Sequence, residues 1–518
     1  MANIYDRTAF PWPSLPADIR LLILDEISGQ KHRGWAQCAA VCKEWQAILE
    51  PKNFSQLAVQ PSCLDGLETV VIRQRPLVQH ICLHIVRPRY ACRTCERSDT
   101  MSTPKSAIFK RAILRLFSIL STWQPTGRLT LELSASSPSD SQHWFKNYCF
   151  GPGHEDTSDW TEQEKATRWH DPKHGWVHGQ QVQAPNRAAI MRLFSPLCLS
   201  VPQNIPVVRA VTGFCVRRQL RHELFPEVLK ALWDALPRLE SIVYELWRVR
   251  RYSCQVVCAR GTLNPKSYRQ ALDLYQPHIQ FSSDILLELA FLLQSSVPPH
   301  VKRISIFKDF NPALTQALIN ATPDSSPDIA STPAVHLGLV KALTASIHHL
   351  SHLSIAHMID AQRFFTACQQ LPRPWTFLQS LTLTSPTLSP AAPHQNIHIL
   401  LRSASSAALA MPQLQTMVLW NAEARHACAV MYQKHAAGAM ATLTWRGTWT
   451  LELSEDVVES WEKVAPSPCY LRLEQEALRD VNIRSHGDAI HHLRLPDGVI
   501  DSSSLCQIRH EGRMQRMA

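Results

Sequence analysis

One short pattern restricts what this chain can fold into more than any other feature. It runs proline, any residue, an apolar residue, two residues, an apolar residue, one residue, an apolar residue. It reads Pro76-Leu-Val78-Gln-His-Ile81-Cys-Leu83, Pro237-Arg-Leu239-Glu-Ser-Ile242-Val-Tyr244, Pro299-His-Val301-Lys-Arg-Ile304-Ser-Ile306 and Pro412-Gln-Leu414-Gln-Thr-Met417-Val-Leu419. Imperfect copies fall at 208–211, 350–355 and 378–383. In each copy the proline stops a preceding helix, the first apolar residue tucks beneath, and the alternating pair is a short half-buried strand. Amphipathic helices precede several copies. Over 223–236, Phe225, Val228, Leu229, Leu232 and Leu236 share one face, and 338–349 and 363–371 behave alike.

Helix, proline and strand in repetition predict a mixed α/β chain, and the pattern resembles the leucine-rich repeat, an α/β solenoid. The copies lie about 30 to over 100 residues apart, against roughly 20–29 in a regular array, so the array is irregular and carries long insertions. The insertions are expected at 134–183, 311–333 and 385–396, the first holding Trp144, Trp160, Trp169 and Trp176, the others rich in Pro, Ser and Thr. The 35 prolines against 16 glycines fit short elements joined by stiff connections.

The N-terminus is built differently. From Leu15 to Gly29 the sequence predicts a helix: Pro16 suits a first helical position, Asp18 sits in the first turn, and Gly29 can close the end. Ile19, Ile23 and Ile27 make one stripe, while Leu21, Leu22 and Leu24 put apolar surface on other sides. A second helix is expected over 35–49, with Cys38, Val41, Cys42, Trp45, Ile48 and Leu49 in one stripe and Pro51 ending it. A third short element begins around Phe54, Leu57 and Val59. Two helices of this length cannot cover each other's apolar surface, so the surplus must meet the rest of the chain or a partner.

The run Leu-Pro-x-x-Ile-x-x-x-Ile-Leu-x-x-Ile, a spacer, and Val41-Cys42-Lys43-x-Trp45 resembles the F-box family over about a tenth of the chain. Residues from Pro51 onward, notably 83–95 and His174-Gly-Trp-Val-His-Gly-Gln-Gln, resemble filamentous-fungal F-box proteins. The resemblance implies a three-helix module over 1–60 that docks a Skp-type adaptor through Leu15, Pro16, Ile19, Ile23, Ile27, Val41, Cys42 and Trp45. Residues 61–518 would then form the substrate-recognition domain. It further implies a non-catalytic substrate receptor of a cullin–RING (SCF-type) ubiquitin ligase, presenting an unidentified target protein. An F-box scaffold without a role in degradation is the alternative, and a zinc- or thiol-dependent enzyme around Cys92 and Cys95 is a third reading.

Cys92-Arg-Thr-Cys95, with Cys82 and His84 upstream, offers four soft ligands, and two sulfurs at C-x-x-C spacing can converge on one tetrahedral ion. Cys82 and His84 alternate on a predicted strand, however, and no second C-x-x-C follows at 15–20 residues. The expectation is therefore structural thiols and no cofactor. His170, His174 and His178 have helical spacing, but Pro172, Gly175 and Gly179 among them predict a loop. Cys254 and Cys258 read as two buried thiols. There is no Gly-x-Ser-x-Gly, phosphate-cradling loop or dinucleotide fingerprint, and no residue takes a catalytic role.

Composition narrows the setting. The most apolar stretch outside the repeats, 285–297, is interrupted by Glu288 and Gln294 and is too short to span a bilayer. The start lacks a basic segment followed by an apolar run, and 15 scattered cysteines fit reduced thiols in the cytoplasm or nucleus. The net charge of +10 is modest for 518 residues. Its densest basic piece, Arg217, Arg218, Arg221, Arg248, Arg250 and Arg251, reads as a solvated face, because no aromatic-interleaved nucleic-acid signature accompanies it.

Overall fold

The apolar pairs of the repeated pattern become strands, and those strands stack in the order in which they occur in the chain. The computed structural model describes residues 12–30, 34–96, 103–150, 169–194, 204–247 (Glu223 and Phe225 aside), 297–320, 349–369, 375–435, 440–465 and 470–514 (Asp480 aside). Helices α1 (Ala17–Gln30) and α2 (Lys43–Ser55) come first, then β1 (Gln56–Val59), α3 (Leu64–Val70), β2 (His80–Val86), α4 (Thr103–Leu120) and β3 (Thr130–Ser136). Next come the short pair β4 (Trp176–Val177) and β5 (Gln180–Gln181), then α5 (Arg187–Phe194), β6 (Gly213–Val216), α6 (Pro226–Asp234), β7 (Ser241–Trp247), β8 (Arg303–Asp309) and α7 (Pro312–Asn320). The chain continues through β9 (His352–Asp360), α8 (Ala361–Gln369), β10 (Ser380–Thr384), α9 (His394–Leu409), β11 (Thr416–Glu423), β12 (His426–Lys434) and β13 (Met440–Gly447). It closes with α10 (Glu455–Glu462), β14 (Tyr470–Ala477), α11 (His486–Leu493) and α12 (Ser502–Met514).

The fold is mixed α/β around one twelve-stranded sheet of order β1-β2-β3-β6-β7-β8-β9-β10-β11-β12-β13-β14, with β4 and β5 pairing apart. Neighbours are parallel except for β12, which runs antiparallel to β11 and β13. The register puts equivalent positions of the pattern beside one another. Leu57, Ile81, Leu131, Phe214, Ile242, Ile304, Leu353, Leu381 and Met417 form one continuous ladder. Val216, Tyr244, Ile306, Ile355, Leu383 and Leu419 form the next. The first apolar positions, Val78, Leu239, Val301, Leu350, Leu378 and Leu414, are all buried. At or just before the start of β3 and of β6 to β11 an amide donates to the unit before it: Thr130 to Gln79, Thr212 to Leu129, Glu240 to Thr212, Lys302 to Glu240, Ser351 to Lys302, Gln379 to Ser351 and Gln415 to Gln379, all at 2.8–2.9 Å. Each unit thus satisfies the polar backbone of its neighbour at the same point.

One face of the sheet carries the main core, in which strand ladders pack with Phe109, Leu116, Leu229, Phe365, Leu400 and Trp461 from the connecting helices. The opposite face is polar toward the N-terminal end, with buried Glu132, Ser134 and Ser136. Further along it is apolar, where Phe307, Val418, Trp420 and Ala429 meet Ile490, Leu493 and Ile508 of α11 and α12. The sequence expectation of loop insertions needs correction here. Within 134–183, Trp144, Trp169 and Trp176 are buried, and Trp144 joins Phe145, Tyr148, Phe194, Trp247 and Leu314 in a third apolar cluster. Large aromatic rings supply enough burial to order a segment with little regular secondary structure. Of 311–333, residues 312–320 form α7 and 321–333 lie outside the described residues. The stretch 385–396 is mostly turn, and α9 already begins at His394. Trp160, Cys254, Cys258, Arg248, Arg250, Arg251 and the helix expected over 338–349 (His349 aside) also lie outside the described residues.

Candidate functional site

The adaptor-docking residues suggested by the resemblance sit on a pinned pair of helices. Arg20 Nε lies 2.7 Å from Glu44 Oε1, and Trp12 Nε1 donates to Glu44 Oε2 at 2.9 Å. The Trp12 indole N–H and then Arg20 hold the Glu44 carboxyl below the usual carboxylate range. Lys52 bonds Asp25 and Ser28 across the pair, and Asn53 donates to the Ala36 carbonyl at 2.9 Å. The second helix differs from the one expected. A 3₁₀ turn at Trp35–Ala40 ends where Cys42 turns extended (φ −159°), and α2 starts only at Lys43, so the apolar stripe over 35–49 is broken in register. Pro51 does not end α2, which continues to Ser55 because Lys52 and Asn53 anchor its last turn to the helix and turn before it. The third element of the expected three-helix module is instead strand β1, which pairs with β2 and joins the main sheet.

The expected docking set divides by exposure. Ile19 is 42% exposed and Val41 64%, and Pro16 and Cys42 are also exposed. Leu15, Ile23, Ile27 and Trp45 are half-buried, with the Trp45 ring 5.0 Å from that of Trp12. Leu22, outside the expected set, is 63% exposed beside them. Because α1 is apolar on almost every side, no periodicity argument could say that Leu22 faces out while Leu24 is buried.

The soft ligands suggested by the sequence separate into two places. Cys82 and His84 stay on a straight stretch of β2 paired with β3 and face the polar side of the sheet. There His84 Nδ1 is 3.3 Å from Ser134 Oγ and Nε2 is 3.2 Å from Ser136 Oγ, while burial and then the Glu132 charge push the Cys82 thiol far up. The strand does not bend to bring them toward Cys92. Cys92 and Cys95 instead meet two histidines from later loops, and the ligand atoms of Cys92, Cys95, His143 and His174 all lie within 4.8 Å of one another. His174 Nε2 is 3.4 Å from both sulfurs, and its Nδ1 is 2.7 Å from Asp171 Oδ2. Gly175 (φ +74°) closes the turn that presents His174, and a Cβ there would stand 2.3 Å from the Gln183 carbonyl oxygen. Burial and then Cys92 raise the Cys95 thiol to about 11, and burial lowers the basicity of His143. His170 and His178 pack against each other with tilted rings 4.9 Å apart outside the group, in the loop conformation expected for them.

The basic run 217–221 is not a solvated face. Arg218 and Arg221 are 0% and 2% exposed. Arg217 clasps Glu132 at 2.7 and 2.9 Å, Arg218 bonds Asp309 and Glu511, and Arg221 bonds Glu511 at 2.7 Å. Arg218 and Arg221 also stack on Trp247 at 4.8 and 4.6 Å. Counter-charges from β3, β8 and α12 made burial possible, and none of them is adjacent in sequence. Next to this network a cavity of about 650 Å³ opens among Arg218, Phe310, His357, Asp360, Asn421 and His486.

A family model described as a family of unknown function (DUF6546) matches residues 296–501, about two fifths of the chain. No curated protein matches the chain. The matched span runs from the turn before β8 to the residue before α12, so it takes in the second half of the sheet and the cavity wall formed by Phe310, His357, Asp360, Asn421 and His486.

Proposed function

We propose that this chain is a non-catalytic substrate receptor of an SCF-type ubiquitin ligase, docking a Skp-type adaptor through its N-terminal helices and holding a target protein with the remainder. One observation carries the reading. A helix pair locked by Arg20–Glu44 and by Lys52 leaves Ile19, Leu22 and Val41 at 42%, 63% and 64% exposure. A rigid pair gains nothing from exposing branched aliphatic side chains to water, whereas a partner groove would bury them. The in-register ladders and the repeated pre-strand hydrogen bonds support a degenerate leucine-rich-repeat-like solenoid as the target-holding part. The chain would act by proximity, raising the effective concentration of target lysines near the charged ubiquitin carrier, in the cytoplasm or nucleus. Among the described residues no helix is long and apolar enough to cross a membrane.

The test is co-purification of the full chain with a recombinant Skp-type adaptor. Leu15→Ala/Pro16→Ala and, separately, Leu22→Asp/Val41→Asp are expected to abolish it. An adaptor that ignores the wild-type chain ends both the ligase and the scaffold reading. A protein that accumulates only when the chain is deleted separates ligase receptor from scaffold.

A further inference from the structure

We propose that Cys92, Cys95, His143 and His174 bind one zinc ion, which staples the aromatic insertion to the end of strand β2. The four ligands come from three places far apart in sequence: the 3₁₀ turn Cys92–Thr94 with Cys95 behind it, the loop after β3, and the 3₁₀ turn Pro172–His174. Nothing in local structure brings such residues together, so their convergence belongs to the tertiary fold.

The spacing agrees with tetrahedral coordination. Zinc–sulfur and zinc–nitrogen bonds of about 2.3 and 2.0–2.1 Å at a tetrahedral angle separate the sulfur and nitrogen atoms by about 3.6 Å. Both sulfurs lie 3.4 Å from His174 Nε2, and His143 completes the set within 4.8 Å. The His143 ring packs 4.9 Å from that of His174, so a fourth donor borders the space that the other three ligands share.

Two further observations point to a metal ion. His143 Nε2 is buried and has no hydrogen-bond partner, although buried ring nitrogens are ordinarily satisfied. His174 presents Nε2 to the thiols while its other nitrogen is held by Asp171, itself 3.1 Å from Lys146 Nζ. A carboxylate behind a histidine fixes the tautomer and orientation that a zinc-bound imidazole requires. Trp144 packs edge-on against His174 at 5.6 Å, so an apolar ring covers one side of the histidine.

The donor set decides the metal and its role. Two sulfurs and two imidazoles select a borderline-soft ion such as zinc over magnesium or calcium. Four protein ligands leave no position for water or substrate, which marks a structural centre and not a catalytic one. On binding, the ion takes two thiolates and two neutral imidazoles, and two protons leave to solvent. The resulting centre carries no net charge, so its burial needs no further counter-ion. The elements it joins need a staple. Between β3 and α5, the described residues form only short 3₁₀ turns and the two-residue strands β4 and β5.

The test uses the full chain, purified without chelator. Elemental analysis is expected to find about one zinc per chain, and X-ray absorption at the zinc edge to show two sulfur and two nitrogen neighbours. Asp171→Asn, which keeps all four ligands, is expected to weaken zinc binding 10–100-fold in competition with a chelator. Cys92→Ser/Cys95→Ser is expected to lose the metal. Because that variant could misfold, apo wild-type chain titrated with Co²⁺ alone supplies an independent reading, with thiolate-to-cobalt charge transfer and tetrahedral d–d absorption expected. Wild-type chain that holds no zinc and shows no such bands overturns the proposal. So does a Cys92–Cys95 disulfide in the protein as purified, or zinc kept by a folded double-serine variant.

Discussion

Arg218 is the residue on which most of the buried charge turns. Its guanidinium donates to Asp309 Oδ2 at 2.8 and 2.5 Å and to Glu511 at 3.0 and 2.8 Å, and it is wholly buried. Burial alone would raise the Asp309 carboxyl, but Arg218 and His486 hold it well below the usual carboxylate range. Replacing such a pair entirely with apolar residues is often tolerated, but removing one partner strands the others. Arg218→Met is therefore expected to destabilise the chain by about 3–5 kcal/mol in urea unfolding. Arg218→Lys should recover only part, because an ammonium cannot fork between two carboxylates. Glu245 behaves in the opposite sense. Burial first, against hydrogen bonds from Ser504 and from the Asp501 and Arg218 amides, raises its pKa to about 7 from an ordinary 4.5. Between those two values the folded chain keeps a proton that the unfolded chain has released, so this group's contribution to stability falls as pH rises through that window. The stability of wild type minus that of Glu245→Gln should accordingly decrease from pH 5 to pH 8, by at most about 3 kcal/mol. A flat or rising difference in paired unfolding curves refutes the assignment.

At the scale of elements, the sequence declared what short-range physics determines. The strands after Pro76, Pro237, Pro299 and Pro412 stand where the proline pattern placed them, because a helix stop and two alternating apolar residues are local instructions. Strands β12 and β13 carry no proline signal, and the reversal of β12 comes from a tight turn at Ala424 and Arg425 (φ +80°). The candidate metal group was half legible. Cys92 and Cys95 announced themselves by spacing, but His143 gave no signal at all, since only the tertiary fold brings its loop to the thiols. The burial of Arg217, Arg218 and Arg221 was illegible for the same reason: a charge run looks solvated until acids from distant strands and helices are laid against it. The docking helices were legible as helices but not as faces. For them the expected outcome is specific to exposure. Leu22→Asp and Val41→Asp should leave the melting temperature within about a degree of wild type while abolishing adaptor capture, as surface substitutions away from packed features cost little. Leu24→Asp, at a fully buried position, should instead lower the melting temperature sharply. Equal thermal losses for all three would mean that the exposed face is packed and not free for an adaptor.

At the scale of the molecule, the C-terminal segment decides whether the sheet is one cooperative body. A stack of units in which each touches mainly its neighbours would ordinarily unfold piecewise. Here α11 lies against β11 and β12, and α12 sends Glu511 to Arg218 and Arg221, beside β6, and Ser504 to Glu245 on β7. His486 reaches Asp309 at 3.1 Å, and Asn147, in the insertion after β3, donates to the Glu511 carbonyl at 3.4 Å. One segment late in the chain therefore bonds to elements spread across the first two thirds. It also covers Phe307, Val418 and Trp420, which would otherwise face water. Removing residues 482–518 should expose that apolar face, take Glu511 from the buried Arg218 and Arg221, and take His486 from Asp309, leaving only the Arg218–Asp309 pair in place. The shortened chain is expected to bind a hydrophobic dye, to aggregate in size-exclusion chromatography, and to be digested by protease in β6 to β8 as well as near the cut. Co-expression of 482–518 as a separate polypeptide should restore solubility, since its contacts are tertiary and do not require covalent continuity. A shortened chain that stays monomeric, with β6 to β8 still protected, would show that the stack stands without its clasp and that cooperativity resides in the ladders alone.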